Sequence, residues 1–195
     1  TITGYTGELQ KYLDPTFKVG TINNLTLPNT YNGKPVTAIG NYAFNNKNIN
    51  ISGTVTIPDT VTSIGNDAFT QNQISAVKLG KKVQIIGQDA FSLNRISGTV
   101  TIPDTVTRIG EKAFTQNNIQ KLDLGSGVET IGDDAFSINP ISGLVAIPDS
   151  VINIGIRAFA DDNISDLTLG KNVKIIGQDA FAHDLEHQRL FQYLR

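Results

Sequence analysis

Apolar and polar positions along the chain alternate over a few residues, then recur at spacings of three and four, and this order repeats throughout. Within residues 54–98 the alternation reads Val55-Thr56-Ile57 and later Val77-Lys78-Leu79, which predicts short strands buried on one face. Pro58 or Gly80 then ends the strand, because proline cannot extend a ladder on both sides. Val61, Ile64 and Ala68 follow at helical spacing, which predicts a short helical turn with one side facing inward. Gly65 is expected to mark a sharp bend, where a residue without Cβ tolerates an unusual φ. Phe69 carries the largest apolar surface of the unit, worth about 1.5–3 kcal/mol when fully buried.

The unit is a repeat. Ala-Phe recurs with the Phe at positions 44, 69, 91, 114, 136, 159 and 181, so successive gaps are 25, 22, 23, 22, 23 and 22 residues. Ile-Gly precedes each at a fixed offset, from Ile39-Gly40 to Ile176-Gly177. Strands followed by Pro (Pro58, Pro103, Pro148) alternate with strands followed by Gly (Gly80, Gly125, Gly170), so the longer period is a pair of repeats. One unit buries too little apolar surface to offset its ordering entropy, and stacking equivalent units gives each Phe neighbours above and below. The predicted architecture is an α/β repeat solenoid, a right-handed coil with a parallel sheet on one face and short helical turns on the other.

The phrases NGKPVTAIG (residues 32–40), TVTIPDTVTSIGNDAF and ISGTVTIPDTVTRIGEKAF resemble the BspA-type bacterial leucine-rich repeat. The resemblance runs from about Leu25 to Ala182 and recurs in every unit. It implies a curved or gently twisted leucine-rich solenoid from a bacterial surface or secreted protein. It also implies an adhesin or interaction module with an extracellular protein partner, such as a host matrix or plasma protein.

Three segments follow in order. Residues 1–24 depart from the repeat and are read as an N-terminal cap, residues 25–182 as the solenoid of seven repeats, and residues 183–195 as a C-terminal tail or cap. Leu185-Glu186-His187 also looks like a cloning remnant, which would make the tail foreign to the protein. Residues 31–35 insert a small loop, and the 25-residue gap places extra residues within 45–51.

Composition narrows the chemistry. Charged residues are 17% and net charge is −2, so no basic excess favours nucleic acid or an anionic membrane surface. Apolar runs are far shorter than a membrane span of about 20 residues, so no membrane insertion is expected. Cysteine is absent, which removes disulfides and thiolate metal sites from the account. Nothing in the chain implies a cofactor. The oligomeric state is not written in the sequence.

Function in leucine-rich solenoids most often sits on the solvent side of the sheet. Its central row is expected to hold Thr56, Lys78, Thr101, Asp123 and Thr168, with Lys121, Leu144 and Asp166 beside it. These eight residues are the candidate binding set, a shallow polar trough of mixed charge. Asn72, Asn94, Asn117 and Asn139, three residues after each Phe, are expected to bond backbone groups of neighbouring turns rather than a ligand. No catalytic constellation is expected. His183-Asp184-Leu185-Glu186-His187 formally matches the H-x-x-E-H zinc-hydrolase signature, which needs a helix, a third ligand and a water-activating Glu. His183 and His187 are therefore adventitious metal candidates at most. The sequence reads as a non-enzymatic binding or adhesion module at the cell surface or outside the cell, with a structural spacer as the alternative.

Overall fold

The structure, a computed structural model, describes residues 21–45 and 50–183. Residues 1–20 of the expected cap, the irregular loop at 46–49, and the tail from 184 with His187 lie outside the described residues. On one side of each coil the apolar–polar alternation forms a strand: β1 (Thr21–Thr26), β5 (Asn50–Thr56), β7 (Gln73–Lys78), β9 (Ser97–Thr101), β11 (Asn118–Asp123), β13 (Ser142–Ala146) and β15 (Asn163–Thr168), numbered along the chain. Past the Pro or Gly corner each coil adds a two-residue strand: β4 (Ala38–Ile39), β6 (Ser63–Ile64), β8 (Ile85–Ile86), β10 (Arg108–Ile109), β12 (Thr130–Ile131), β14 (Asn153–Ile154) and β16 (Ile175–Ile176). The first coil also carries a hairpin, β2 (Thr30–Tyr31) and β3 (Lys34–Pro35), turned by Asn32-Gly33 with both residues at positive φ.

The short strands pair in parallel, coil upon coil, as one seven-stranded sheet running from β4 to β16. The expected helical turns are absent: no helix occurs among the described residues, so the fold is a β-solenoid and not α/β. Val61, Ile64 and Ala68 do all point inward, but from a chain that turns at corners. Each coil finds its backbone partners in the coils next to it. Thr62 N–H donates to Thr37 O at 2.8 Å and Gly65 N–H to Ile39 O at 2.9 Å, so donors that a continuous helix would use locally are spent on the neighbouring coil. The small glycine is needed for close approach and not for an unusual φ. A Cβ on Gly65 would sit 2.6 Å from the backbone nitrogen of Asn41.

The unusual φ values fall two residues past that glycine and two past the Phe. Tyr42, Asp67, Asp89, Lys112, Asp134, Arg157 and Asp179 form one left-handed row; Gln71, Leu93, Gln116, Ile138, Asp161 and His183 form another. Side chains other than Gly, Asn and Asp adopt this region reluctantly. It is held here by a ladder between coils: Asp67 N–H donates to Gln88 O, Asp89 N–H to Glu111 O, Lys112 N–H to Asp133 O, each at 2.8 Å.

The core is a single column. Phe44, Phe69, Phe91, Phe114, Phe136, Phe159 and Phe181 are buried and stack with centroids 5.0–5.4 Å apart and planes within 14° of parallel. Such aromatic pairs contribute about 0.5–1.5 kcal/mol beyond area burial.

On the strand side the sheet is not continuous. β1, β5 and β7 form one parallel sheet, β9 with β11 a second, and β13 with β15 a third. The breaks fall where a strand followed by Gly precedes a strand followed by Pro. There the 23-residue repeat inserts one residue more, and Gly98 and Gly143 take it up at positive φ in open space. Of the inward residues at these seams, Val77 is half-buried and Leu122 is 8% exposed, while Val100 and Val145 are almost wholly buried.

Candidate binding face

The strand side presents the candidate residues together, and backbone pairing sets their order. Val55, Val100 and Val145 point into the core, so the residues before and after them face solvent. In register, Thr26 lies beside Thr56 and Thr56 beside Lys78. Thr101 lies beside Asp123, and Ala146 beside Thr168. The flanking row pairs Thr54 with Ala76, Thr99 with Lys121, and Leu144 with Asp166. The eight sequence candidates therefore share one surface. All are exposed except Thr56, which is half-buried.

Charge on this face is confined to the coils whose strand ends in Gly. Lys78 stands at one end, Lys121 and Asp123 two coils on, and Asp166 two coils further. The coils between carry Thr99 and Thr101, then Leu144 and Ala146. Leu144 is 60% exposed, so an apolar side chain stands in the middle of a polar row. Thr101 Oγ1 lies 3.5 Å from Asp123 Oδ2, the one side-chain bond described within the central row.

Sequence reasoning missed the row at the corner beside this face. Asp59, Asp104 and Asp149 each accept from a backbone N–H one coil on, at Lys81, Ser126 and Lys171, over 2.8–2.9 Å. The backbone and hydroxyl donors of Ser126 hold the Asp104 carboxyl below the usual carboxylate range. The Lys171 ammonium at 2.8 Å and its N–H do the same for Asp149. The signal was the Ile-Pro-Asp triplet in every coil of that class, which marks a side chain free to reach the next turn.

The asparagine row is structural, as the spacing suggested. Asn72, Asn94, Asn117 and Asn139 are buried, and each Oδ1 accepts from a backbone N–H of the preceding coil: Ile51, Ile74, Ile96 and Ile119. At the far end, His183 Nδ1 lies 2.8 Å from Asp161 Oδ1, beside an open groove of about 300 Å³ lined by Arg157, Asp179 and these two. His183 has a left-handed backbone in a turn, not the helical one that the H-x-x-E-H signature requires. Among the described residues no three His, Cys, Asp or Glu are placed to hold a metal ion.

The model of the BspA type leucine rich repeat region matches residues 11–142 and 62–187, with six copies. The chain belongs to the BspA-type leucine-rich repeat family.

One solved structure shares the fold, and two others are more distantly similar. The crystal structure of the pneumococcal vaccine antigen PcpA is 21% identical, with a TM-score of 0.65 over 78% of this chain and 41% of that one. A leucine rich cell surface protein from Faecalibacterium prausnitzii is 22% identical, with a TM-score of 0.43 over 75% of this chain and 48% of that one. A leucine-rich repeat protein from Bacteroides ovatus is 17% identical, with a TM-score of 0.33, covering 84% of this chain and 73% of that one. The chain thus spans less than half the length of the first two. No curated protein sequence matches it. No helix among the described residues is long and apolar enough to cross a membrane.

Proposed function

We propose that this BspA-type repeat domain is a non-enzymatic adhesion or interaction module, displayed on a bacterial surface or secreted, that presents its strand side to an extracellular protein. The observation that carries this reading is the contrast between interior and display face. The Phe column is the same in all seven coils and the Asn row in four consecutive ones, while Thr56, Lys78, Thr101, Lys121, Asp123, Leu144, Asp166 and Thr168 vary in size, charge and polarity on a fixed backbone. A rigid scaffold lowers the entropic cost of binding, because its side chains are already positioned when the partner arrives. The family supports the location.

Replacing Lys78, Lys121, Asp123 and Leu144 together tests the reading. Loss of binding to extracellular host proteins in a pull-down, with an unchanged melting curve, is the expected result. Unchanged capture would instead support a spacer that holds another domain away from the surface. The stacked column favours that second reading to the extent that it makes the coil stiff.

A further inference from the structure

Outside the display face, the seven-stranded side carries a row of residues directly after the inward Val of each coil: Thr37, Thr62, Gln84, Thr107, Glu129, Ile152 and Lys174. The first four are polar and uncharged. The last three lie side by side, since Ile152 N–H donates to Glu129 O and Lys174 N–H to Ile152 O, each at 2.9 Å. Acidic, apolar and basic residues therefore stand in line on three consecutive coils, about 5 Å apart. A second row, after the Ile-Gly of each coil, reads Asn41, Asn66, Gln88, Glu111, Asp133, Ile156 and Gln178. It too is polar except in the same sixth coil. Ile152 is 37% exposed and Ile156 47%, so neither isoleucine serves the core. Ile175 on the next coil is also exposed, at 58%. Glu129 and Lys174 are exposed, and neither takes part in the ion pairs described within the chain.

We infer that this patch pairs with the same patch of a second copy of the chain, across a two-fold axis that runs along the strand direction through the sixth coil. Such an axis reverses the order of coils and keeps each row facing itself, as isologous pairing requires. Glu129 then faces Lys174 of the second copy, and Lys174 faces its Glu129. Ile152 meets Ile152, Ile156 meets Ile156, and Asp133 meets the amide of Gln178. The sequence acidic–apolar–basic is its own complement when reversed. A parallel arrangement would instead set Glu129 against Glu129 and Lys174 against Lys174. Three coils offer less than the roughly 800 Å² per partner of a standard interface, so the pairing is weak and favoured by high local density.

Sedimentation equilibrium over a concentration series tests this. The unaltered chain is expected to show a monomer–dimer equilibrium, and Ile152→Thr with Ile156→Asn, residue types these rows hold elsewhere, to leave only monomer. Glu129→Lys alone and Lys174→Glu alone should each weaken self-association at least tenfold. Mixing these two variants should restore a dimer, because each then meets its opposite charge at both ends. A chain that stays monomeric throughout, single variants that dimerise as before, or a mixture that fails to recover would each overturn the pairing. None of these residues lies on the display face, so the outcome is independent of the binding reading above.

Discussion

Asn94 Nδ2 donates to Phe69 O across one coil at 2.9 Å, and to Phe91 O of its own coil at 3.1 Å. Its Oδ1 accepts from Ile74 N–H at 3.1 Å. One side chain thus satisfies a buried donor and two buried acceptors at the point where the coil leaves the Phe turn. A buried polar group left without its partner costs about 1–3 kcal/mol. Asn94→Ala is therefore expected to lower stability by about 3 kcal/mol or more in urea unfolding, well beyond an exposed substitution such as Gln116→Ala. A loss below about 1 kcal/mol would mean that water replaces the amide.

The same row contains its own natural substitution. Asp162 is buried where the four preceding coils place Asn, and its Oδ1 accepts from Asn139 N–H at 2.9 Å. A carboxylate has no N–H to offer the carbonyls that the Asn side chains bind elsewhere. Asp162→Asn is expected to raise stability by about 1–2 kcal/mol, read as a higher urea midpoint with an unchanged slope. A fall in stability would show that the acid is specifically accommodated.

What the sequence made legible follows from what repetition can encode. The Phe column, the Asn row and the outward residues of the strands were readable because each depends on a residue type recurring at a fixed offset. The faces between them were not. The spacing of Val61, Ile64 and Ala68 is compatible with a helix and also with a coil that turns at Gly65, and only the backbone partners supplied by neighbouring coils decide between them. The left-handed rows were equally hidden, since Lys112, Arg157 and Ile138 give no local sign of positive φ. The break between β7 and β9 had a signal in the extra residue before Val100, but its effect on the ladder required the geometry of Gly98.

Phe114 lies midway along the column, 5.2 Å from Phe91 and 5.4 Å from Phe136. Truncating it removes both stacking contacts and leaves a cavity that the rigid coils on either side cannot close. Phe114→Ala is expected to cost about 3–5 kcal/mol. Phe114→Leu should cost less, because it fills most of the space. Equal losses for the two would mean that the ring stack itself, and not the volume, carries the stabilisation.

The corner aspartates give the fold an acid limit. Asp104 is lowered by the Ser126 donors and Asp149 by Lys171, so both bind protons less readily folded than unfolded. For a depressed carboxyl the stabilisation is fully present above the unfolded value of 3.8 and is lost as pH falls through the lower folded value. Thermal melts should therefore show Tm steady from neutral pH down to about 5, then falling below about 4 as these links between coils are protonated. In Asp104→Asn with Asp149→Asn the side-chain oxygen still accepts the backbone N–H but no longer titrates, so the acid fall should be shallower. Both carboxylates are exposed, and screening makes the effect modest and smaller still in high salt. An acid fall of the same depth in the double variant would place the sensitivity elsewhere in the coil.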